Sequence, residues 1–124
     1  MFHLALPGGR SPIPLLNALS LEYAEAFPWK HTHIWQTDER CVPANHSHSN
    51  WNQIDRLLIS QVSIPYHQLH PMPVTLQSGV CEPADRGCGL YESQLQREIG
   101  RAQLDHVVLG VGRDGHIASL FPSP

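Results

Sequence analysis

The chain has 124 residues, 11 acidic and 8 basic side chains, and a formal net charge of -3. That length suits one small domain with a core of its own. The mild, scattered charge gives no basic surface for nucleic acid, and no apolar run is long enough to span a bilayer. The N-terminus lacks the basic start of a secretory signal, and Pro7-Gly8-Gly9 interrupts its apolar stretch early. The three cysteines Cys41, Cys81 and Cys88 have no zinc-ligand spacing, so free thiols are expected; a Cys81–Cys88 pair requires the intervening loop to bend back.

Phe2 to Leu6 reads as a short buried strand. The turn Pro7-Gly8-Gly9-Arg10-Ser11-Pro12 follows, with Ser11 suited to cap a helix and Pro12 to its first turn. Leu15, Leu16, Leu19, Tyr23 and Ala26 give helical spacing on one face. A glycine turn before a helix offers free N–H groups and a favourable dipole to an anion. Ser11 adds a hydroxyl and Arg10 a positive charge. Taken alone, the Gly-Gly pair reads first as a plain tight turn, because neither a P-loop nor a dinucleotide fingerprint is present.

Thr32 to Thr37 reads as a second strand, which delivers Asp38-Glu39-Arg40 to its carboxyl end. A guanidinium there can fork onto phosphate oxygens, with Asp38 or Glu39 holding it, or form an ion pair within a solvated loop. His31, His33, His46 and His48 suggest a metal, but no second ligand cluster supports one, and none is expected. Asn45-His46-Ser47 fits a glycosylation sequon. Ser49 is placed to cap a helix from Asn50 to about Gln61, with Ile54, Leu57 and Leu58 inward. Ile64 to Val74 is proline-interrupted and extended. Glu82 to Ile99 reads as helical in its second half, striped by Leu90, Tyr91, Leu95 and Ile99, with Gly87 and Gly89 weakening its start.

The last segment organises the chain. His106 to Val111 is a buried-strand run rich in valine, ending in Gly110-Val111-Gly112-Arg113-Asp114-Gly115-His116 and an apolar stretch expected to start a helix. The alternation of strands and helices predicts an α/β fold, a parallel sheet in a three-layer α/β/α arrangement. Residues 1–124 read as one domain, incomplete at both ends. All three polar clusters fall at strand carboxyl ends and so at one edge of the sheet, where such folds bind ligands. His116 is suited to proton transfer near neutral pH and Asp114 to orienting it; the plainer reading makes Asp114 a helix cap and His116 an exposed residue.

Leu6 to Pro12, Asp38 to Pro43 with Ser49-Asn50, and Gly110 to Pro122 together resemble the 6-phosphogluconolactonase family across essentially the whole chain. Phe27-Pro28-Trp29, Ile64-Pro65-Tyr66 and His70 to Val74 are not general family motifs. They are similar to its endoplasmic branch, where the lactonase is fused to a hexose-6-phosphate dehydrogenase. The resemblance implies hydrolysis of 6-phospho-D-glucono-1,5-lactone in the pentose phosphate pathway without metal or cofactor. It makes His116 the general base, Asp114 its partner, and Gly8, Gly9, Ser11 and Arg40 the phosphate cradle, at which this chain's own Arg10 either adds a phosphate contact or crowds the pocket. Backbone N–H groups near Gly112 are a candidate oxyanion site. It also implies an endoplasmic-reticulum location, with the cytoplasm as the alternative.

The family's serine before the glycines is Pro7 here, and its small hydroxyl residue after them is Arg10. Those departures, with the missing ends, keep a non-catalytic sugar-phosphate-binding module in play and predict a poorly stable or inactive chain in isolation. The sister glucosamine-6-phosphate isomerase/deaminase group follows the same Asp-Gly-His-Ile-Ala run with Phe-Asn-Glu-Pro. Here Phe121 stands in place of that catalytic glutamate, which favours the lactonase.

Overall fold

A computed structural model describes residues 1–75, 81, 83–100 and 103–123. β1 (Phe2–Leu6) and β2 (Thr32–Gln36) pair in parallel along their whole length, His3 opposite His33 and Ala5 opposite Trp35. β3 (Leu69–His70) joins the outer edge of β2, and β4 (His106–Val107) that of β1, both in parallel. The sheet order is therefore β3-β2-β1-β4. The order reverses between β1 and β4, and a crevice opens at such a reversal because the two flanking loops leave in opposite directions.

Period-two alternation sends the two faces of β1 and β2 to different partners. Leu4, Leu6 and Ile34 pack with Leu16 of α1 (Ile13–Glu22), Ile54 of α2 (Asn50–Leu57), and Trp29, Leu58 and Ile59. On the opposite face Ala5 and Trp35 meet Tyr91 of α3 (Ala84–Ile99), with Leu95, Ile99 and Leu104 at the margin. Helices thus cover both faces, giving the expected three layers.

Several local expectations are corrected. Pro12, not Ser11, occupies the α1 N-cap, and no side chain caps that helix. Ser49 does cap α2, accepting from Asn52 N–H at 3.1 Å, but the α-helix ends at Leu57 and a 3-10 turn carries on to Gln61. α3 starts at Ala84 despite Gly87 and Gly89, because burial of Tyr91 outweighs the glycine penalty; Glu82 lies outside the described residues. Leu90 points outward at 41 % exposure.

The run His106–Val111 forms only a two-residue strand, exposed throughout those two residues, because among the described residues no further strand pairs with its outer side. No helix forms among described residues after it. The chain instead folds back on itself through bridges Val111–Ile117 and Ile117–Leu120. Cys41 and Cys81 form a disulfide, Cα–Cα 5.7 Å, and Cys88 stays free and exposed, which corrects the expectation of three thiols. Sequence separation hides that pair, since it is made by the approach of the β2 loop to the segment before α3.

Tyr91 ties α3 to the sheet. Its hydroxyl accepts from Gln36 N–H at 2.8 Å and donates to His70 C=O at 2.7 Å, and burial pushes its pKa up. Tyr91→Phe leaves a buried N–H and C=O short of a partner. We expect a loss of roughly 1–3 kcal/mol in denaturant unfolding.

Candidate active site

The loops after β1, β2 and β4 meet at the carboxyl edge of the sheet and enclose a cleft of about 570 Å³. Gly8, Gly9, Arg10 and Ser11 form one wall, Asp38, Glu39 and Arg40 the second, and Gly110, Gly112, His116 and Ser119 the third. Asp114 stands behind His116 and does not line the cleft.

The β1 loop is shaped by two glycines for different reasons. Gly9 takes φ +89°, a left-handed conformation that side chains resist. Gly8 lies so close to Asn50 that a Cβ would overlap its side chain. Gln53 of α2 donates to Gly9 C=O at 2.7 Å and holds the turn in place.

The β2 loop is organised by Glu39. Its Oε1 accepts from Arg40 N–H and Asn50 N–H, each at 2.7 Å. Its Oε2 accepts from Trp51 N–H at 2.9 Å, Ser49 Oγ at 3.0 Å and Gln36 Nε2 at 3.1 Å. The carboxylate therefore sits on the N-terminus of α2, where unpaired N–H groups and the helix dipole favour a negative charge. It does not hold the Arg40 guanidinium. Asp38 is also committed elsewhere: its Oδ2 accepts from Ser119 Oγ at 2.9 Å, and its Oδ1 from Asn50 Nδ2 at 3.3 Å. Arg40 is exposed in the cleft, with no carboxylate partner among the described residues.

In the β4 loop, Asp114 Oδ1 lies 2.6 Å from His116 Nδ1 and accepts from His116 N–H at 3.1 Å. The hydrogen bond from the imidazole lowers the Asp114 pKa, so the carboxylate stays ionised near neutral pH. With Nδ1 engaged, Nε2 is the nitrogen left for a ligand. Phe121 stacks on the imidazole, ring centroids 4.8 Å apart. The Gly112 amide donates to His116 C=O at 2.9 Å. That amide is therefore spent on the turn.

Sequence reading thus named Gly8, Gly9, Arg10, Ser11, Arg40 and His116, and all six line one cleft. It assigned no role to Asn50, which packs on Gly8 and lines the cleft, nor to Ser119, which bonds Asp38 across 81 positions. Both lie in stretches that carry the family resemblance, but only the folded loops show what each side chain touches. Among the described residues the group of three metal-capable side chains is His33, His70 and Glu98, outside this cleft.

This is a parallel α/β scaffold with a glycine turn, an exposed arginine and a histidine–carboxylate pair at one crevice. The chain belongs to the glucosamine-6-phosphate isomerase/6-phosphogluconolactonase family, whose signature matches residues 1–124. It is 46% identical over 121 residues to the human GDH/6PGL endoplasmic bifunctional protein, covering 98% of this chain and 15% of that one. It is 34% identical to the 6-phosphogluconolactonase of Thermotoga maritima, covering 95% of this chain and 49% of the relative. The crystal structure of a Thermotoga maritima 6-phosphogluconolactonase superposes with a TM-score of 0.81 at 33% identity, over 98% of this chain and 50% of that one. A Trypanosoma brucei 6-phosphogluconolactonase gives 0.82 at 30% identity, over 99% and 52%. The chain thus spans about half the length of the lactonases it matches.

A Cβ at Gly112 would overlap the His116 ring and crowd Asp114 Oδ1 at 2.8 Å. Gly112→Ala is therefore expected to part the His116–Asp114 pair while the sheet stays folded. Loss of the downfield imidazole N–H proton resonance, with unchanged far-UV circular dichroism, would show it.

Proposed function

We propose that the protein hydrolyses 6-phospho-D-glucono-1,5-lactone to 6-phosphogluconate, and that the cleft is where it does so. The observation that carries this reading is the convergence, on one crevice, of an anion cradle and an Asp-oriented histidine. The backbone of Gly8, Gly9 and Ser11, with the Arg40 guanidinium, receives the 6-phosphate, and Arg10 adds a contact. Neutral His116, its Nδ1–H held by Asp114, takes a proton from water at Nε2 as that water attacks C1. The tetrahedral adduct then breaks the bond from C1 to the ring oxygen. The imidazolium returns its proton to that oxygen, leaving the acid, which ionises. Asp114 keeps the ring oriented and stabilises its charged form.

The isomerase/deaminase alternative is disfavoured by Phe121, whose apolar ring occupies the position beside His116 where that chemistry needs a carboxylate. His116→Ala is expected to lower lactone hydrolysis, corrected for spontaneous opening, by about 10²- to 10⁴-fold, and Arg40→Ala to act mainly on KM. An unchanged rate in His116→Ala would overturn the reading in favour of a sugar-phosphate-binding module. Ammonia release from an amino-sugar phosphate would favour the deaminase.

We further infer an endoplasmic-reticulum lumenal setting, fused to a dehydrogenase as the name of the human relative describes for that protein. Three observations support it: the likeness to that protein, the Cys41–Cys81 disulfide, which suits an oxidising compartment, and the exposed Asn45 sequon. Protein from its native source should lose mass on endoglycosidase treatment at Asn45 and resist alkylation at Cys41 and Cys81 until reduced. A bare Asn45 with two alkylated thiols would point to the cytoplasm.

A further inference from the structure

The sheet face under α3 carries histidine where the opposite face carries leucine and isoleucine. His3 of β1, His33 of β2 and His70 of β3 are all buried there. His33 Nδ1 lies 2.8 Å from His70 Nε2, with the two rings within 4° of coplanar. Trp35 stacks on His70 at 3.8 Å and fixes its plane. His3 packs on His33 at 4.5 Å, but its Nδ1 already accepts from Trp35 Nε1. From the last turn of α3, Glu98 brings a carboxylate to the rim of this cluster. One nitrogen from each of His33 and His70 and one Glu98 oxygen lie within 4.8 Å of one another.

We propose that His33, His70 and Glu98 form a binding site for a divalent metal ion of the zinc type, separate from the catalytic cleft. Two imidazoles and one carboxylate are a donor set that zinc and cobalt accept, with a fourth position left to water. Bonds of roughly 2.0–2.2 Å in a tetrahedron put donor atoms about 3.3–3.6 Å apart. The imidazole pair must therefore open by about half an ångström and Glu98 must swing in by just over one. Glu98 can do so because its side chain is 31% exposed and its one ion contact among the described residues, to Arg97, is a loose 4.0 Å.

The histidines are also in the right form. Burial lowers the pKa of His33, and burial reinforced by His33 lowers that of His70 to about 4. Both rings are thus neutral at physiological pH, as ligation requires. The hydrogen-bonded pair holds one proton between the two nitrogens; metal takes its place, and the donor ring shifts that proton to its other nitrogen. The site is distant from the lactone chemistry, since His33 precedes Asp38 by five positions, roughly 16 Å along an extended strand. The ion would clamp α3 to β2 and β3.

The test is cobalt(II) titration of the metal-free full-length protein, followed by visible absorption, with zinc-dependent melting in parallel. His46→Gln/His48→Gln serves as the background, because that exposed pair, with ring centroids 5.0 Å apart, is the obvious rival. We expect one equivalent with the intense band of four-coordinate cobalt. Zinc at a hundredfold excess over Kd should raise Tm on the order of 5–10 °C. Glu98→Gln, at the rim where folding is not at stake, should weaken binding at least tenfold, and His70→Gln should abolish it. Lactone hydrolysis should be the same with and without zinc. Absence of the band, or equal binding by Glu98→Gln and His70→Gln, would overturn the proposal and leave the histidines as a hydrogen-bonded core pair.

Discussion

The cleft depends on one carboxylate. Glu39 lies three residues beyond the end of β2 and takes five hydrogen bonds, three of them from backbone N–H groups. Two of those donors, Asn50 and Trp51, are the first residues of α2, where no carbonyl of the helix can reach them. A charge-assisted acceptor there stabilises the helix N-terminus by about 0.3–2 kcal/mol, depending on burial. Its structural consequence exceeds that energy. It fixes where α2 begins, so that Asn50 abuts Gly8 and Gln53 reaches Gly9. Two of the three loops that line the cleft are therefore set by one carboxylate.

The third wall is attached differently. Ser119 donates to Asp38, joining the loop after β4 to the loop after β2 over the top of β1. The His116–Asp114 pair then stands across the cleft from the Gly8–Gly9 turn. Its tight turn uses Gly115 at φ +89° and the Gly112–His116 backbone bond to bring the ring back over the strand end. Glycine is needed at 112 because the ring itself fills the space a Cβ would occupy. The cleft thus rests on three loops with separate anchors, and the reversal of strand order between β1 and β4 gives them room to diverge.

The two sheet faces show how a small α/β layer divides its work. The face under α1 and α2 is aliphatic and supplies most of the hydrophobic burial. The face under α3 is aromatic and polar, with Tyr91 bonding two strands and the histidines bonding one another. Directional contacts there position α3, whereas the aliphatic face tolerates small shifts at less cost. The exposed apolar side chains Leu109, Val111, Leu120 and Phe121 all lie beyond or beside β4, whose outer side pairs with no other strand among the described residues.

The sequence by itself determined a good deal. The valine-rich and alternating strand runs, the Ser49 cap and the glycine turns made the parallel α/β class and the three loop clusters legible, because each rests on local backbone preference and period. It also named the cleft residues Gly8, Gly9, Arg10, Ser11, Arg40 and His116, since their types announce anion binding and proton transfer. Tertiary structure decided what depends on approach between distant segments. It sent Glu39 and Asp38 to α2 and Ser119 rather than to Arg40, joined Cys41 to Cys81, and paired His33 with His70 over 37 positions. It also shortened the last strand to two exposed residues and replaced the expected helix with a folded-back loop. No local pattern encodes these outcomes, because each is a competition for partners that exists only once the sheet has brought the loops together.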